Sequence, residues 1–337
     1  MKYVLALAGA LLLPATTAAE AQQTLVFAAA TSERSPMSTD IFTNWVARIN
    51  ADGAGIVQID FRPGMALASP ANFYDRVSDG IVDITWCILT QVPGQFPRLS
   101  VLELPFLTQD TSTAVIEPFS MALWDLYTSG LVDSEFDEVV PLFMTTYAQS
   151  PVHLSQGLDA LDDLGGRRII AGGATLSASL TAVGGVPLSI NAGDSYEAVQ
   201  RGTADGRLMS WTAIPAFRFG EVTTQHVEVP LGTAPGGVII NRAVWEGLTP
   251  EARAIIERHS GEAMVRIMAE FQIAQTEEIR QEMLDLGHTI VRPTPEQLAD
   301  WHERTEPARA AWLAETPDGA AVLEHFTGSV AHYSGAN

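Results

Sequence analysis

The side chains most able to do chemistry are present in this sequence, but not at the spacings that catalysis requires. The single cysteine, Cys87, lies in the apolar run 84–89, where no neighbouring base would favour a thiolate, so we expect a buried, inert thiol. Without a second cysteine it can form neither an intrachain disulfide nor a multi-cysteine zinc site. The seven histidines are scattered, and none stands at metal-ligand spacing from another. We therefore predict no metal site.

Searches for catalytic motifs lead to the same conclusion. The sequence has no Gly-x-Ser-x-Gly elbow and no His-Glu-x-x-His zinc helix. The glycine pairs Gly165-Gly166 and Gly172-Gly173 lack the spacing of a dinucleotide site and the lysine of a P-loop. We predict a protein without catalytic residues or a cofactor. A hydrolase or lyase built on a similar fold is the alternative, and a perturbed acid or base in a cleft would indicate it.

The N-terminus has the features of an export signal. Lys2 precedes the apolar run 4–13, which is too short to span a bilayer, and residues 19–21 (Ala-Glu-Ala) form a small-x-small cleavage site. No cysteine follows that would carry a lipid anchor. We therefore predict a signal peptide over residues 1–21 and a soluble protein in the periplasm.

Length and charge narrow the class of protein further. The roughly 315 residues after the signal peptide exceed what one hydrophobic core usually serves, so two domains are expected. The net charge of −21 argues against binding nucleic acid or an anionic membrane surface, which both need basic residues. A monomer is the default expectation.

Hydrophobic patterning predicts an α/β protein with two similar lobes. In the first half, strand patterns alternate with helix patterns, as in a parallel sheet covered by helices. The second half repeats this alternation, with a glycine-rich loop before a helix. We assign residues 22–145 to lobe one, with C-terminal segments returning to it, and residues 146–240 to lobe two. Residues 241–337 are predicted to be mostly helical and to bridge the lobes.

Two helix starts stand out in this C-terminal region. Thr249-Pro250 and Thr294-Pro295 each place a capping threonine before a proline at the first helical position. Apolar residues then recur at helical spacing over 250–286. We expect one long helix there, and it is the candidate for the bridge between the lobes.

Four segments, in the same order along the chain, resemble the solute-binding proteins of TRAP (tripartite ATP-independent periplasmic) transporters. The most specific covers residues 79–106, with a Gly-x-x-Asp strand, a Pro-Gly-x-Phe-Pro turn and Leu-Pro-Phe after an acidic residue. The other three lie within 161–169, 197–206 and 238–250. The residues matched in the first segment are Gly80, Asp83, Pro93, Gly94, Phe96, Pro97, Glu103, Leu104, Pro105 and Phe106.

The resemblance implies a two-lobe periplasmic binding protein fold with a hinge, crossing strands and a long bridging helix. A small organic ligand would bind between the lobes and pass to membrane permease subunits that use an ion gradient instead of ATP. A protein that presents its ligand to a sensor receptor would use the same fold. The positions that correspond to ligand contacts are Ser32, Glu33, Met65, Trp86, Tyr147, Arg168, Ile170, Met209 and Trp211.

One of these positions departs from the family pattern. Most members hold a ligand carboxylate with an arginine at the place of Ile170, and a close subgroup has a second basic residue at the place of Ala174. Isoleucine cannot replace a bidentate donor, so we expect a ligand that is not a simple carboxylate: neutral, aromatic, or an amine that could pair with Glu33. The alternative is a carboxylate held by Arg168 or Arg167, or by backbone amides at the 172–173 helix start.

Overall fold

The computed structural model describes residues 22–92 and 94–335, which form two β-sheets with helices packed on them. The predicted signal peptide, residues 1–21, lies outside the described residues. The strands are β1 (Gln23–Ala29), β2 (Val57–Pro63), β3 (Ile84–Ile88), β4 (Val139–Thr146), β5 (Val152–Leu154), β6 (Arg168–Ile170), β7 (Val186–Leu188), β8 (Gly206–Leu208), β9 (Gln225–Val227), β10 (Pro235–Asn241) and β11 (Thr289–Val291).

The helices cover both faces of both sheets. They are α1 (Thr43–Asp52), α2 (Phe73–Ser78), α3 (Ile116–Thr128), α4 (Ala174–Ala182), α5 (Ser195–Gln200), α6 (Arg242–Gly247), α7 (Pro250–Arg258), α8 (Gly261–Asp285), α9 (Pro295–Glu315) and α10 (Gly319–Tyr333). No helix among these is both long enough and apolar enough to cross a membrane. The predicted α/β class with two lobes is confirmed.

The first sheet has the order β2-β1-β3-β10-β4. β1 runs parallel to β2 and β3, whereas β10 is antiparallel to β3 and β4. The inner strands β3, β10 and β4 are almost entirely buried and mostly apolar, as expected where helices cover both faces of a sheet, whereas the edge strand β2 alternates with polar residues. Trp45 of α1 is buried against one face, and Phe119 of α3 is buried against the other.

The second sheet has the order β11-β9-β5-β8-β6-β7. β6 is parallel to β7 and β8, so these three strands end at the same edge of the sheet. Leu180 of α4 and Trp301 of α9 pack in one apolar cluster, and Val199 of α5 and Ile279 of α8 pack in another.

Two chain segments, 147–150 and 230–233, cross between the sheets and are hydrogen-bonded to each other. The Ser150 amide donates to the Gly232 carbonyl at 2.9 Å, and the Thr233 hydroxyl donates to the Tyr147 carbonyl at 2.9 Å. Gly232 has φ +122°, and a Cβ there would lie 2.6 Å from the carbonyl oxygen of Glu103. Only glycine fits this crossing without strain.

Helices of the C-terminal region contact elements of both sheets, but they differ from the prediction. The expected single helix over 250–286 is two helices: α7 ends at Arg258 and α8 starts at Gly261, where φ is +60°. The 25-residue helix α8 packs on α3 and β4 of the first lobe, then on residues 211–213 and β11 of the second. Both predicted helix starts are confirmed, because Thr249 and Thr294 accept capping hydrogen bonds from the backbone.

A row of paired residues crosses the second sheet on one face: Ile170, Arg207, His153 and His226. His153 Nδ1 lies 2.7 Å from His226 Nδ1, and His226 Nε2 lies 3.0 Å from His288 Nδ1. His153 Nε2 lies 3.2 Å from the carbonyl of Met209, which can only accept. Neutral rings satisfy the whole chain when each histidine donates toward Met209. Residue spacing does not reveal this cluster, because its members come from two strands and a loop that are far apart along the chain.

Burial keeps these histidines neutral. It lowers the pKa of His153 to about 3 and that of His226 to about 2. In the unfolded chain a histidine takes up its proton near pH 6.5. Protons therefore favour the unfolded chain below that pH, and stability falls as the pH drops from about 6.5 toward 3.

We predict that each of these two histidines costs about 1.4 kcal/mol of unfolding free energy per pH unit across that window. In the His226→Gln variant, the slope of unfolding free energy against pH should be smaller by the contribution of one histidine. Urea unfolding at several pH values measures this slope. The His332→Gln variant, at an exposed position, is the control and should keep the wild-type slope. An unchanged slope in His226→Gln would show that the buried rings are not held neutral.

Candidate functional site

The carboxyl ends of the parallel strands in both sheets face the crossing segments. In the first sheet, β4 ends and β10 begins at the edge where β3 ends, because β10 is antiparallel to both. In the second sheet, β5 begins at the edge where β8 ends, for the same reason. The chain therefore crosses from one carboxyl edge to the other. Ligands of open α/β sheets bind at such edges, so the cleft between them is the candidate site.

Three predicted contact residues lie on the loops of the first edge. Ser32 and Glu33 follow β1, and both are exposed. Met65 follows β2 and is 66% exposed, which is unusual for a large apolar side chain. These residues form a rim that a ligand could reach.

Trp86 and Tyr147, also of lobe one, are more enclosed. The Trp86 ring is buried, lies 5.6 Å from the Phe42 ring between centroids, and sits against Gly236. A Cβ at Gly236 would lie 2.6 Å from the indole. Tyr147 follows β4, and burial raises the pKa of its phenol above the usual range. Both side chains belong to the apolar core of lobe one at its cleft end.

The second edge carries an apolar wall. Ile170, Met209 and Trp211 are buried in one cluster. The Trp211 indole N–H donates to Glu228 Oε1 at 3.2 Å, and the guanidinium of Arg280 lies 5.9 Å from the indole centroid. Trp211 is therefore fixed in place by contacts on both its edge and its face.

The guanidinium of Arg168 is already hydrogen-bonded to other residues of lobe two. Its Nε and Nη2 donate to the two carboxylate oxygens of Asp205 at 3.0 and 2.8 Å, and Nη2 also donates to the Gly202 carbonyl at 2.7 Å. Arg168 is at the start of β6, whereas Ile170 is at its carboxyl end. The guanidinium therefore faces the turn after α5, and its fork is already occupied by a carboxylate.

Glu103 contacts lobe two, a contact that residue spacing did not reveal. It belongs to the Leu-Pro-Phe motif of lobe one, and its Oε2 lies 2.9 Å from the position that a Cβ on Gly173 would take. Gly173 precedes α4, so this carboxyl faces the start of that helix. Burial raises its pKa to about 7, although a hydrogen bond with Thr90 opposes the shift. The family motif contained Glu103, but nothing in the sequence placed it opposite lobe two.

Arg207 is the second residue that the sequence analysis missed. It is on β8, and its Nη1 donates to the Ser195 hydroxyl and to the Ala192 carbonyl, the latter at 3.4 Å. Its guanidinium carbon lies 5.2 Å from the centroid of the Phe217 ring. Burial lowers its pKa to about 10, which leaves the side chain charged at neutral pH. The feature that could have drawn attention to Arg207 is a basic residue in the middle of a short strand whose other two residues are buried.

Comparison with known proteins gives the family. The model for bacterial extracellular solute-binding protein family 7 matches residues 27–315. The outer membrane transporter protein TsaT of Comamonas testosteroni is 24% identical over 308 residues, which are 88% of each chain. The C4-dicarboxylate-binding periplasmic protein DctP of Rhodobacter capsulatus is 27% identical over 151 residues, 45% of this chain and 42% of that one.

Solved structures share the fold. A TRAP solute-binding protein from Rhodoferax ferrireducens T118, in complex with copurified benzoate, superposes with a TM-score of 0.84 at 25% identity. The match covers 93% of this chain and 99% of that one. A marine metagenome TRAP protein with 3-hydroxybenzoate gives a TM-score of 0.84 at 24% identity and the same coverage. The chain belongs to bacterial extracellular solute-binding protein family 7, the family of TRAP solute-binding proteins.

Proposed function

We propose that this protein is the periplasmic receptor of a TRAP transporter. It captures a small organic molecule in the cleft between its lobes and delivers it to membrane permease subunits. The observation that carries the proposal is the facing pair of strand edges, joined by two crossing segments and lined by apolar and aromatic side chains. The predicted N-terminal export signal supports a periplasmic location, and the membership of the family supports the permease as partner.

The proposed ligand has an aromatic or otherwise apolar body. In this proposal Met65, Trp86 and Met209 line the cleft, and such side chains favour flat apolar ligands. The benzoate complex of the Rhodoferax protein, at 25% identity, supports this choice.

Contacts within the protein disfavour two of the alternative ways of binding a ligand carboxylate. The fork of Arg168 is filled by Asp205. The start of α4 at Gly173 already faces the carboxyl of Glu103, which would repel a ligand carboxylate when ionised. Neither group is a convincing partner for a ligand acid.

Glu103 also bears on the enzyme alternative, since its raised pKa of about 7 is what a catalytic acid might show. Burial accounts for that shift. Its side chain is hydrogen-bonded to Thr90 and lies against Gly173. We therefore favour binding over catalysis. A ligand-presenting sensor would use the same cleft and differ only in its membrane partner.

We expect a true ligand to stabilise the mature protein against heat. A ligand at 100 times its dissociation constant adds about 2.7 kcal/mol, which raises the melting temperature by several degrees. The panel contains benzoate, 3-hydroxybenzoate, mandelate and pyroglutamate, with benzamide and benzylamine as neutral and cationic counterparts. Small-angle scattering with the stabilising compound should show a smaller radius of gyration, as the lobes close. Absence of both effects across the panel would argue against the proposal.

The hinge provides a second test. The Gly232→Ala variant forces a Cβ toward the Glu103 carbonyl and a side chain into a left-handed conformation, at a cost of about 1–3 kcal/mol. We expect a lower melting temperature and weaker ligand binding, since the crossing segments must shift. The Gly247→Ala variant, where a Cβ meets nothing within 4 Å, is the matched control. Equal behaviour of the two variants would show that the crossing at Gly232 does not constrain the lobes.

A further inference from the structure

Arg207 is a largely but not fully buried cation without a counter-ion. No carboxylate in the described part of the chain pairs with it, and desolvation alone accounts for its lowered pKa. Removing a charge from water costs several kcal/mol unless a partner compensates it. The protein as folded bears that cost, which is unusual in a chain where other buried charges, such as Glu228, are paired.

The free donors of Arg207 form one side of its guanidinium. Nη1 is used by Ser195 and Ala192. Nε is buried without a hydrogen-bond partner. The hydrogen bonds recorded for this guanidinium within the described residues both leave from Nη1. Nε and Nη2 point in parallel, which is the geometry that grips both oxygens of a planar carboxylate.

The contacts of this guanidinium lie beyond the carboxyl end of β7. Ala192 and Ser195 follow β7, at the carboxyl edge that faces lobe one. Arg207 is also the register partner of Ile170 across β6 and β8, so both side chains leave the same face of the sheet. A cation on β8 can therefore serve the region that Ile170 on β6 leaves without one.

We propose that Arg207 binds the anionic end of the ligand, a planar carboxylate held by Nε and Nη2. This inference rests on the proposed function and adds the charge of the ligand to it. The expectation of a ligand without a carboxylate was based on Ile170, and Arg207 removes that basis. The ligand class becomes a small aromatic or cyclic acid.

The test compares three variants by calorimetric titration with the stabilising carboxylate of the panel and its amide, for benzoate the pair benzoate and benzamide. Wild-type protein should bind the acid and not the amide. Arg207→Gln should weaken acid binding by at least about 30-fold, as expected for truncating one partner of a buried charge pair. Arg207→Lys should recover part of the affinity, since it restores charge without the fork. Arg201→Gln, at an exposed arginine that pairs only with Glu197, is the control and should bind as wild type.

Melting without ligand separates a binding role from a structural one. If Arg207 serves the ligand, Arg207→Gln removes an uncompensated charge and should melt no lower than wild type. A lower melting temperature with unchanged acid affinity would make Arg207 structural and overturn the inference.

Other outcomes would also overturn it. Stabilisation of the wild type by benzamide or benzylamine, but by no acid, would remove the role of Arg207 and leave the receptor function standing. Failure of every compound, together with no change in the scattering radius, would count against both the inference and the receptor function.

Discussion

The two segments that connect the lobes, 147–150 and 230–233, are hydrogen-bonded to each other, and the relative position of the lobes depends on these bonds. They connect backbone to backbone and hydroxyl to backbone, so they depend little on which side chains surround them. Thr233 also donates its amide to the Leu102 carbonyl at 2.8 Å, which ties the crossing to the segment that carries Glu103. The cleft lies beside this crossing, and lobe motion must bend these few bonded residues while the sheets stay rigid.

Much of the fold was predictable because it follows from local rules. Alternating strand and helix patterns indicated the two α/β lobes, and the caps at Thr249 and Thr294 were found in the structure. The break between α7 and α8 was not predicted. Apolar periodicity continues across Ser260, although α7 ends at Arg258 and α8 begins at Gly261, which has a positive φ. Periodicity reports which face is buried, not whether the backbone is continuous.

The candidate site was only partly predictable. Motif positions led to Trp86, Met209 and Trp211, which lie at the cleft ends of the two cores. They did not reveal Arg207 or Glu103, because both depend on contacts between segments far apart in sequence. Arg207 stands beside Ile170 only through the register of β6 and β8. A motif comparison considers one sequence position at a time. If a neighbouring strand supplies the binding cation instead, such a comparison records only that the expected arginine is missing.

The placement of Arg207 has a consequence for the speed of ligand capture. The chain carries a net charge of −21, whereas the proposed binding cation is a single, largely buried arginine. An approaching anion is therefore repelled by the whole surface and attracted only at short range. Dissolved salt screens exposed charges beyond roughly 8 Å at physiological ionic strength but screens buried pairs much less. Association of an acid would thus become faster in saline water while its release stayed nearly constant, so the same receptor would collect its solute better in a salty habitat than in a dilute one.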